Sequence, residues 1–474
     1  MHPISDNEKW NSKDFFLYIG SIILFIYIHL PLTLRMGYDA DEILDFSGSD
    51  IARDTYLTCG RWGHVIWGYL VGDGLKPWSG GITAGLILCL ALVLQTKILF
   101  ASNTHYSYKG VYCALYLACY HFAYFLSFSM MAEGNALGIF FATLACYILF
   151  FQSPHFTLKR ILLSIGCLYV ALSFYQTSGL LFFTLFCCCL RPYVNDKKKI
   201  IKYGTILGLI CLASLVLFFI TKKIIVGLHI PQNECAISYT KSYENSLMKA
   251  GILHSEASLL HLLKLRFLMT LALNPYLFIC TIIALVVWTY HTLQQRNYRV
   301  AILLAIALTI PYVATLFVCT WRRMLCFVPL ISAFIITLTV SFNRDTKPLK
   351  KVYLPIVAIL CIFAAHKVSN MALTERTRHD SNLLTRFSQY SEGRKLLFSS
   401  GMNEKTPIFI FEKSWINFVD FYQSYPFKNL HLGTHAEYEK HKDTLKNMPS
   451  WPAPGSIQIS HGCIIIKADD NHRW

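Results

Sequence analysis

The chain has 474 residues and a formal net charge of +16, with 54% hydrophobic and 15% charged residues. This balance is far from that of a soluble globular protein and is typical of a multi-pass membrane protein. The positive charge does not indicate a nucleic-acid-binding protein, because the basic residues are distributed between apolar runs and do not cluster on one soluble face.

The apolar runs predict about eleven transmembrane helices. A helix needs roughly 20 residues to cross the hydrocarbon of a bilayer, and most of the runs reach this length. The predicted spans are 15–34, 80–100, 109–128, 133–151, 161–176, 178–191, 203–221, 270–290, 299–318, 325–342 and 352–368.

Lys and Arg are concentrated in alternate connections between these spans, such as the run KKK at 197–199. The positive-inside rule assigns those connections to the cytoplasm. An odd number of spans then predicts a cytoplasmic N-terminus and an external C-terminal segment. The other predicted external segments are 35–79, 222–268 and 319–326.

The sequence DADE directly follows the first predicted span. Its carboxylates are expected at the lipid–water boundary, where a lipid-linked phosphate and a water-soluble acceptor can both reach them. A carboxylate in that position can remove a proton from an attacking hydroxyl group. The alternative is an acidic loop that is only solvated, because surface carboxylates are common. The candidate bases are Asp39, Asp41 and Glu42.

The rest of the first external segment contains isolated acids and an aromatic run. Asp45, Asp50 and Asp54 are predicted to be solvated. The run RWGHVIWGYLVG at 61–72 is too short to cross a membrane and is rich in Trp and Tyr. We predict an interfacial or re-entrant helix there, since aromatic side chains favour the membrane interface.

Arginines in two external segments are candidate phosphate ligands. Arg61 stands beside Trp62 in the sequence GRW, and Arg322 and Arg323 stand in TWRRM. External arginines oppose the positive-inside bias, and a guanidinium group matches the oxygens of a phosphate well. Alternatively, these arginines pair with external carboxylates or lipid headgroups.

The sequence SFYQTSG separates two short apolar runs and predicts a tight external hairpin. Tyr175 and Gln176 lie in this hairpin, where they could line a cavity or form hydrogen bonds inside the bundle. Further along, the leucine-rich stripe at 259–265 predicts an amphipathic helix on the membrane surface.

The composition changes after about residue 369 and predicts a small α+β domain. Helical periodicity at 374–390 is followed by a strand pattern at 407–412 and by two strands within 456–469, joined at His461-Gly462. Lys467 lies in the last of these strands, where it is either an ordinary strand lysine or a ligand for phosphate.

The chain is therefore predicted to have two domains, a membrane bundle at 1–368 and an external domain at 369–474. We find no Gly-rich phosphate loop, Walker motif, Ser/His/Asp arrangement or Cys/His metal spacing in the sequence. The sequence thus predicts no metal site and no bound cofactor, and it does not favour ATP-driven transport.

Taken in order, the sequences DADE, GRW and SFYQ, the arginine loop before the tenth span, and the tail WPAPGSIQISHGCIIIKAD resemble the glucosyltransferase II family. These are multi-pass, serotype-converting O-antigen glucosyltransferases of enteric bacteria and their phages. The resemblance covers essentially the whole chain. It implies a GT-C type fold and a reaction at the periplasmic face of the inner membrane.

The resemblance also implies roles for individual residues. The family's acidic pair falls on Asp41 and Glu42, its Gly-Arg on Gly60 and Arg61, and its near-terminal lysine on Lys467. The family commonly has two adjacent aspartates, whereas this chain has Asp41-Glu42 with an additional Asp39, so the identity of the base stays open.

The implied activity is transfer of glucose from undecaprenyl phosphate glucose to a sugar hydroxyl of a lipid-linked O-antigen acceptor. The expected partners are thus the bilayer, the polyprenyl phosphate sugar and this acceptor, without nucleic acid. The alternatives are an O-antigen polymerase, and a transporter of polysaccharide or lipid carrier. A transporter is expected to have charged residues along its spans, which are scarce here.

Overall fold

The described part of the chain forms a helical membrane protein, as the apolar runs predict. Apolar segments form helices in lipid because a helix satisfies its own backbone hydrogen bonds. The computed structural model describes residues 10–33, 50–71, 76–100, 104–119, 122, 129–151, 156–228, 230–231, 259–272, 274–294, 298–316, 325–341, 355–367, 369–370, 395–399, 431–432, 435–449, 455, 457–460 and 463–467.

The helices of the first half include both long spans and two short helices between the first and second spans. They are α1 Ser12–Thr33, α2 Asp50–Thr58, α3 Trp62–Val71, α4 Lys76–Leu99, α5 Tyr106–Leu117, α6 Ser129–Phe150, α7 Leu158–Phe174, α8 Ser178–Cys189 and α9 Lys197–Gly227.

In the second half of the chain, the described residues form apolar helices followed by one polar helix. These are α10 Leu259–Ala272, α11 Pro275–Gln294, α12 Tyr298–Leu316, α13 Phe327–Ser341, α14 Pro355–Lys367 and α15 His435–Asn447.

Five helices of the described residues are long and apolar enough to cross a membrane, and four shorter apolar helices accompany them. The remaining two predicted spans, 109–128 and 161–176, overlap α5 and α7, so each predicted span overlaps a helix. The number of membrane crossings and their orientation stay predictions. The five long segments are Ser12–His29, Gly80–Leu99, Ala132–Phe150, Lys197–Gly227 and Tyr298–Leu316.

The centre of the bundle is formed where α4 packs against α6, and α6 against α7 and α8. A polar chain crosses this apolar core. The Tyr112 hydroxyl donates to Gln95 Oε1 at 2.7 Å, and Gln95 Nε2 donates to Thr143 Oγ1 at 3.0 Å. These buried polar groups satisfy one another, and they therefore hold α4, α5 and α6 in register.

A buried ion pair joins the start of α1 to the end of α4. Lys97 Nζ lies 2.8 Å from Asp14 Oδ2, and both side chains are 1% exposed. The Tyr106 hydroxyl donates to Asp14 Oδ1 at 3.1 Å. By the predicted topology this end of the bundle faces the cytoplasm, and we call it the Lys97 end.

In the described part of the C-terminal segment, four short strands form one sheet with the order β2-β1-β4-β3. Strand β1 is parallel to β2 and β4, whereas β3 and β4 form an antiparallel hairpin in which Ser460 pairs with Cys463. This hairpin lies where the sequence predicts two strands joined at His461-Gly462. The strands are β1 Lys395–Ser399, β2 His431–Leu432, β3 Ile457–Ser460 and β4 Cys463–Lys467.

Helix α15 packs on β1 and β4. Leu445 of this helix and Met448, the residue after its last turn, form a small buried cluster with Ile465 of β4. The predicted helix at 374–390 and the predicted strand at 407–412 lie outside the described residues.

Candidate functional site

The turn between α2 and α3 places Arg61 at the end of the bundle opposite the Lys97 end. Helix α2 ends in a Schellman motif, in which the backbone N–H of Gly60 donates to Leu57 and that of Arg61 donates to Tyr56, at 3.0 and 2.7 Å. Gly60 has φ +77°, the left-handed conformation that this motif requires. Arg61 directly precedes α3, and its carbonyl accepts a hydrogen bond from the N–H of His64 in the first turn of that helix.

The predicted hairpin is present between α7 and α8 and contacts this turn directly. Gln176 Nε2 donates to the carbonyl of Cys59 at 3.0 Å. The Arg61 guanidinium lies over the Tyr175 ring, 5.3 Å from its centroid, a distance typical of a cation–π contact. Tyr175 and Gln176 therefore position Arg61, and we call this part of the molecule the Arg61 end.

Aromatic rings surround α3 on its buried side. Trp62 packs on Tyr169 with ring centroids 5.3 Å apart. His64 stacks on Tyr56 at 5.2 Å and meets the edge of Phe174 at 5.8 Å. These contacts fix the rotation of α3 about its axis and so keep Arg61 next to the hairpin.

Helix α3 packs one side against the bundle and exposes apolar side chains on the other, as a helix in contact with lipid does. Gly63, His64 and Gly68 are buried against the bundle, whereas Tyr69 and Leu70 are more than 70% exposed. The short helix is thus present where the sequence predicts one.

Glu133 is a buried acid at the Arg61 end that the sequence analysis did not select. It lies in the second turn of α6 and is 1% exposed. Its Oε2 accepts a hydrogen bond from Trp67 Nε1 of α3 at 2.5 Å. The only feature of the sequence that could have identified Glu133 is its position as an acidic residue at the start of the predicted span 133–151.

Gly134 lets α3 approach α6 closely. A Cβ atom at this position would collide with the His64 ring. Because Gly134 follows Glu133 directly, the same close approach brings Trp67 within hydrogen-bonding distance of the carboxylate.

The sequence predicts that Asp54 is solvated, whereas the structure buries it. Its side chain is completely buried, and Arg53 Nη2 lies 3.1 Å from its Oδ1. The reason is that α2 packs against α9 and α3, so one face of α2 is removed from water. The local sequence does not reveal this burial.

A second cation lies beside the Gly60 turn. Lys222 of α9 passes so close to Gly60 that a Cβ on the glycine would lie 3.4 Å from its Cδ. The ring of Phe218, one turn earlier on α9, would be only 2.7 Å from the same atom. The turn that carries Arg61 is therefore packed directly on α9.

Gly60→Ala is expected to destabilise the protein. The substitution puts a side chain into a left-handed conformation and against the Phe218 ring, for a combined cost of about 1 to 3 kcal/mol. We expect a lower apparent Tm in detergent. Gly208→Ala is the matched control, because Gly208 lies within α9 with open space around it. An unchanged Tm for Gly60→Ala would contradict this account of the turn.

The residues selected from the sequence fall into three groups. Arg61, Trp62, Tyr175 and Gln176 lie together at the Arg61 end, and Lys467 lies in β4, where it pairs with Ser399 of β1. The third group lies outside the described residues and consists of Asp39, Asp41, Glu42, Arg322 and Arg323.

Comparisons of the chain with protein-family models, curated proteins and solved structures found no match.

Proposed function

We propose that this protein is an inner-membrane glucosyltransferase that transfers glucose from undecaprenyl phosphate glucose to a sugar hydroxyl of O antigen on the periplasmic face. The observation that carries the proposal is the fixed position of Arg61 at one end of a helical membrane bundle. The buried Nε of Arg61 has no hydrogen-bond partner among the described residues. A guanidinium held in this way is suited to bind a phosphate.

The charges at the Arg61 end support a site for a lipid-linked phosphate. Arg61 lies in the turn that precedes α3, and Lys222 of α9 packs beside Gly60 in the same turn. The exposed apolar side chains of α3, including Ile66 and Leu70, provide a surface suited to lipid chains. A donor with a phosphate and a polyprenyl tail therefore suits this end better than a nucleotide sugar does.

In the proposed reaction, either Asp41 or Glu42 removes the proton from the acceptor hydroxyl. The hydroxyl oxygen forms a bond to the anomeric carbon while the bond from that carbon to the phosphate oxygen breaks. The electron pair leaves on the phosphate, and the anomeric configuration inverts. Arg61 stabilises the negative charge on the departing lipid monophosphate, with help from Arg322, Arg323 and Lys467.

The choice of donor tests the function directly. Purified protein in nanodiscs is expected to transfer labelled glucose from polyprenyl phosphate glucose to lipid-linked O antigen, and to leave UDP-glucose unused. The product is measured by gel separation and by NMR of the modified O antigen. Efficient use of UDP-glucose would contradict the lipid-linked donor. Movement of lipid-linked sugar across the bilayer without transfer would favour a transporter.

A further inference from the structure

Glu133 is buried at the Arg61 end without a charged partner among the described residues. One of its two carboxylate oxygens, Oε2, accepts the hydrogen bond from Trp67. The other oxygen, Oε1, is buried and accepts no hydrogen bond from the described residues. A buried carboxylate oxygen without a hydrogen bond costs free energy of folding, because it has lost its hydration without gaining a donor.

Two comparisons distinguish Glu133 from buried polar groups with a structural role. The acid at the Lys97 end, Asp14, has both oxygens in contact with donors, namely Lys97 and Tyr106. The core amide Gln95 likewise uses both its oxygen and its nitrogen. Buried ionisable groups in a membrane protein commonly mark a functional pathway or site. Glu133 therefore has the property expected of a residue that completes its hydrogen bonds with a ligand.

The ligand that Glu133 lacks is a hydrogen-bond donor. A carboxylate oxygen accepts hydrogen bonds, and the neutral hydroxyl groups of a sugar supply them without bringing a charge into the site. The Trp67 indole beside it offers a flat apolar surface of the kind that ring-shaped ligands pack against.

The spacing along α3 relates Glu133 to the phosphate ligand. Trp67, which contacts Glu133, comes six residues after Arg61, and the rise of an α-helix makes this about 9 Å along the axis. A phosphate bound at Arg61 and a hexose attached to it extend over a distance of the same order. The axial separation is therefore compatible with a donor whose phosphate lies at Arg61 and whose sugar lies near Glu133.

We infer that Glu133 is a positioning residue that accepts hydrogen bonds from hydroxyl groups of the donor's sugar, while Arg61 binds its phosphate. This inference rests on the proposed function and adds a residue that distinguishes a phosphate-linked sugar from the bare lipid phosphate. It separates recognition of the donor into two parts carried by different helices, α3 and α6.

Binding of two lipids tests the inference. Purified wild-type protein and the Glu133→Gln variant are titrated in nanodiscs with polyprenyl phosphate glucose and with polyprenyl phosphate. Glu133→Gln is expected to weaken binding of the glucose-bearing lipid about tenfold, the effect of losing one charged hydrogen bond. Binding of polyprenyl phosphate is expected to stay within about twofold of wild type, whereas Arg61→Ala weakens binding of both lipids.

Thr143→Val is the matched control, because it removes a buried hydrogen bond from the same helix at a distance from the Arg61 end. It is expected to bind both lipids like wild type. If Glu133→Gln does not fold, Glu133→Asp, which keeps the charge but shortens the side chain, is titrated in its place with the same expectation.

The outcomes separate the inference from the proposed function. If wild type binds neither lipid and transfers no glucose, the proposed function is wrong and the inference falls with it. If wild type transfers glucose but Glu133 variants bind both lipids as wild type does, or lose both equally, the inference alone is overturned. A wild type that does not prefer the glucose-bearing lipid overturns it as well.

Discussion

Replacing Glu42 by Gln or Asp41 by Asn is expected to slow glucose transfer by about 10²- to 10⁴-fold for whichever residue is the base. Each substitution keeps the size of the side chain and much of its hydrogen bonding but removes its proton affinity. Glu42 is the first variant to test, since its longer side chain reaches further from the boundary. The measurement is the initial rate of labelled transfer from polyprenyl phosphate glucose at matched protein levels.

The control for this prediction comes from the same external segment. Asp50→Asn is expected to leave the rate nearly unchanged, because Asp50 is an isolated acid at the start of α2. Asp54 is unsuitable as a control, since it is fully buried beside Arg53 and its replacement disturbs the packing of α2. Full activity in the amide variants of Asp39, Asp41 and Glu42 would make the acidic stretch a solvated loop and the assignment of a base wrong.

Arg61→Ala is expected to reduce turnover by about 10²- to 10³-fold, the usual effect of removing one group that stabilises charge in a transition state. Arg61→Lys is expected to recover only part of this loss, because a lysine provides a point charge without the planar fork of donors. Steady-state kinetics with polyprenyl phosphate glucose measure both variants. The packing of the Gly60 turn rests on Gln176 and Phe218 as well, so both are expected to accumulate in the membrane.

Arg160→Ala is the charge-matched control for Arg61→Ala. Arg160 lies in the first turn of α7, whereas the hairpin that contacts Arg61 follows the last turn of the same helix. It is expected to leave turnover unchanged. Near wild-type turnover in Arg61→Ala would assign Arg61 to packing or to lipid headgroups.

Local sequence patterns were sufficient to predict most of the helices and the hairpin. Apolar runs bounded by polar residues predict helices because lipid offers no hydrogen bonds to an open backbone. The same local logic located α3 from its length and aromatic content, and the turn at Tyr175-Gln176 from the break between two apolar runs.

The amino-acid sequence by itself thus determined a helical membrane protein and placed Arg61, Tyr175 and Gln176 in connections between helices. Only the tertiary structure decided that Trp67 binds Glu133 and that Asp54 is buried. The physical reason is the distance along the chain: Trp67 and Glu133 are 66 residues apart, and the burial of Asp54 depends on the packing of α2 against α9. No periodicity within one helix specifies which distant helix will cover one of its faces.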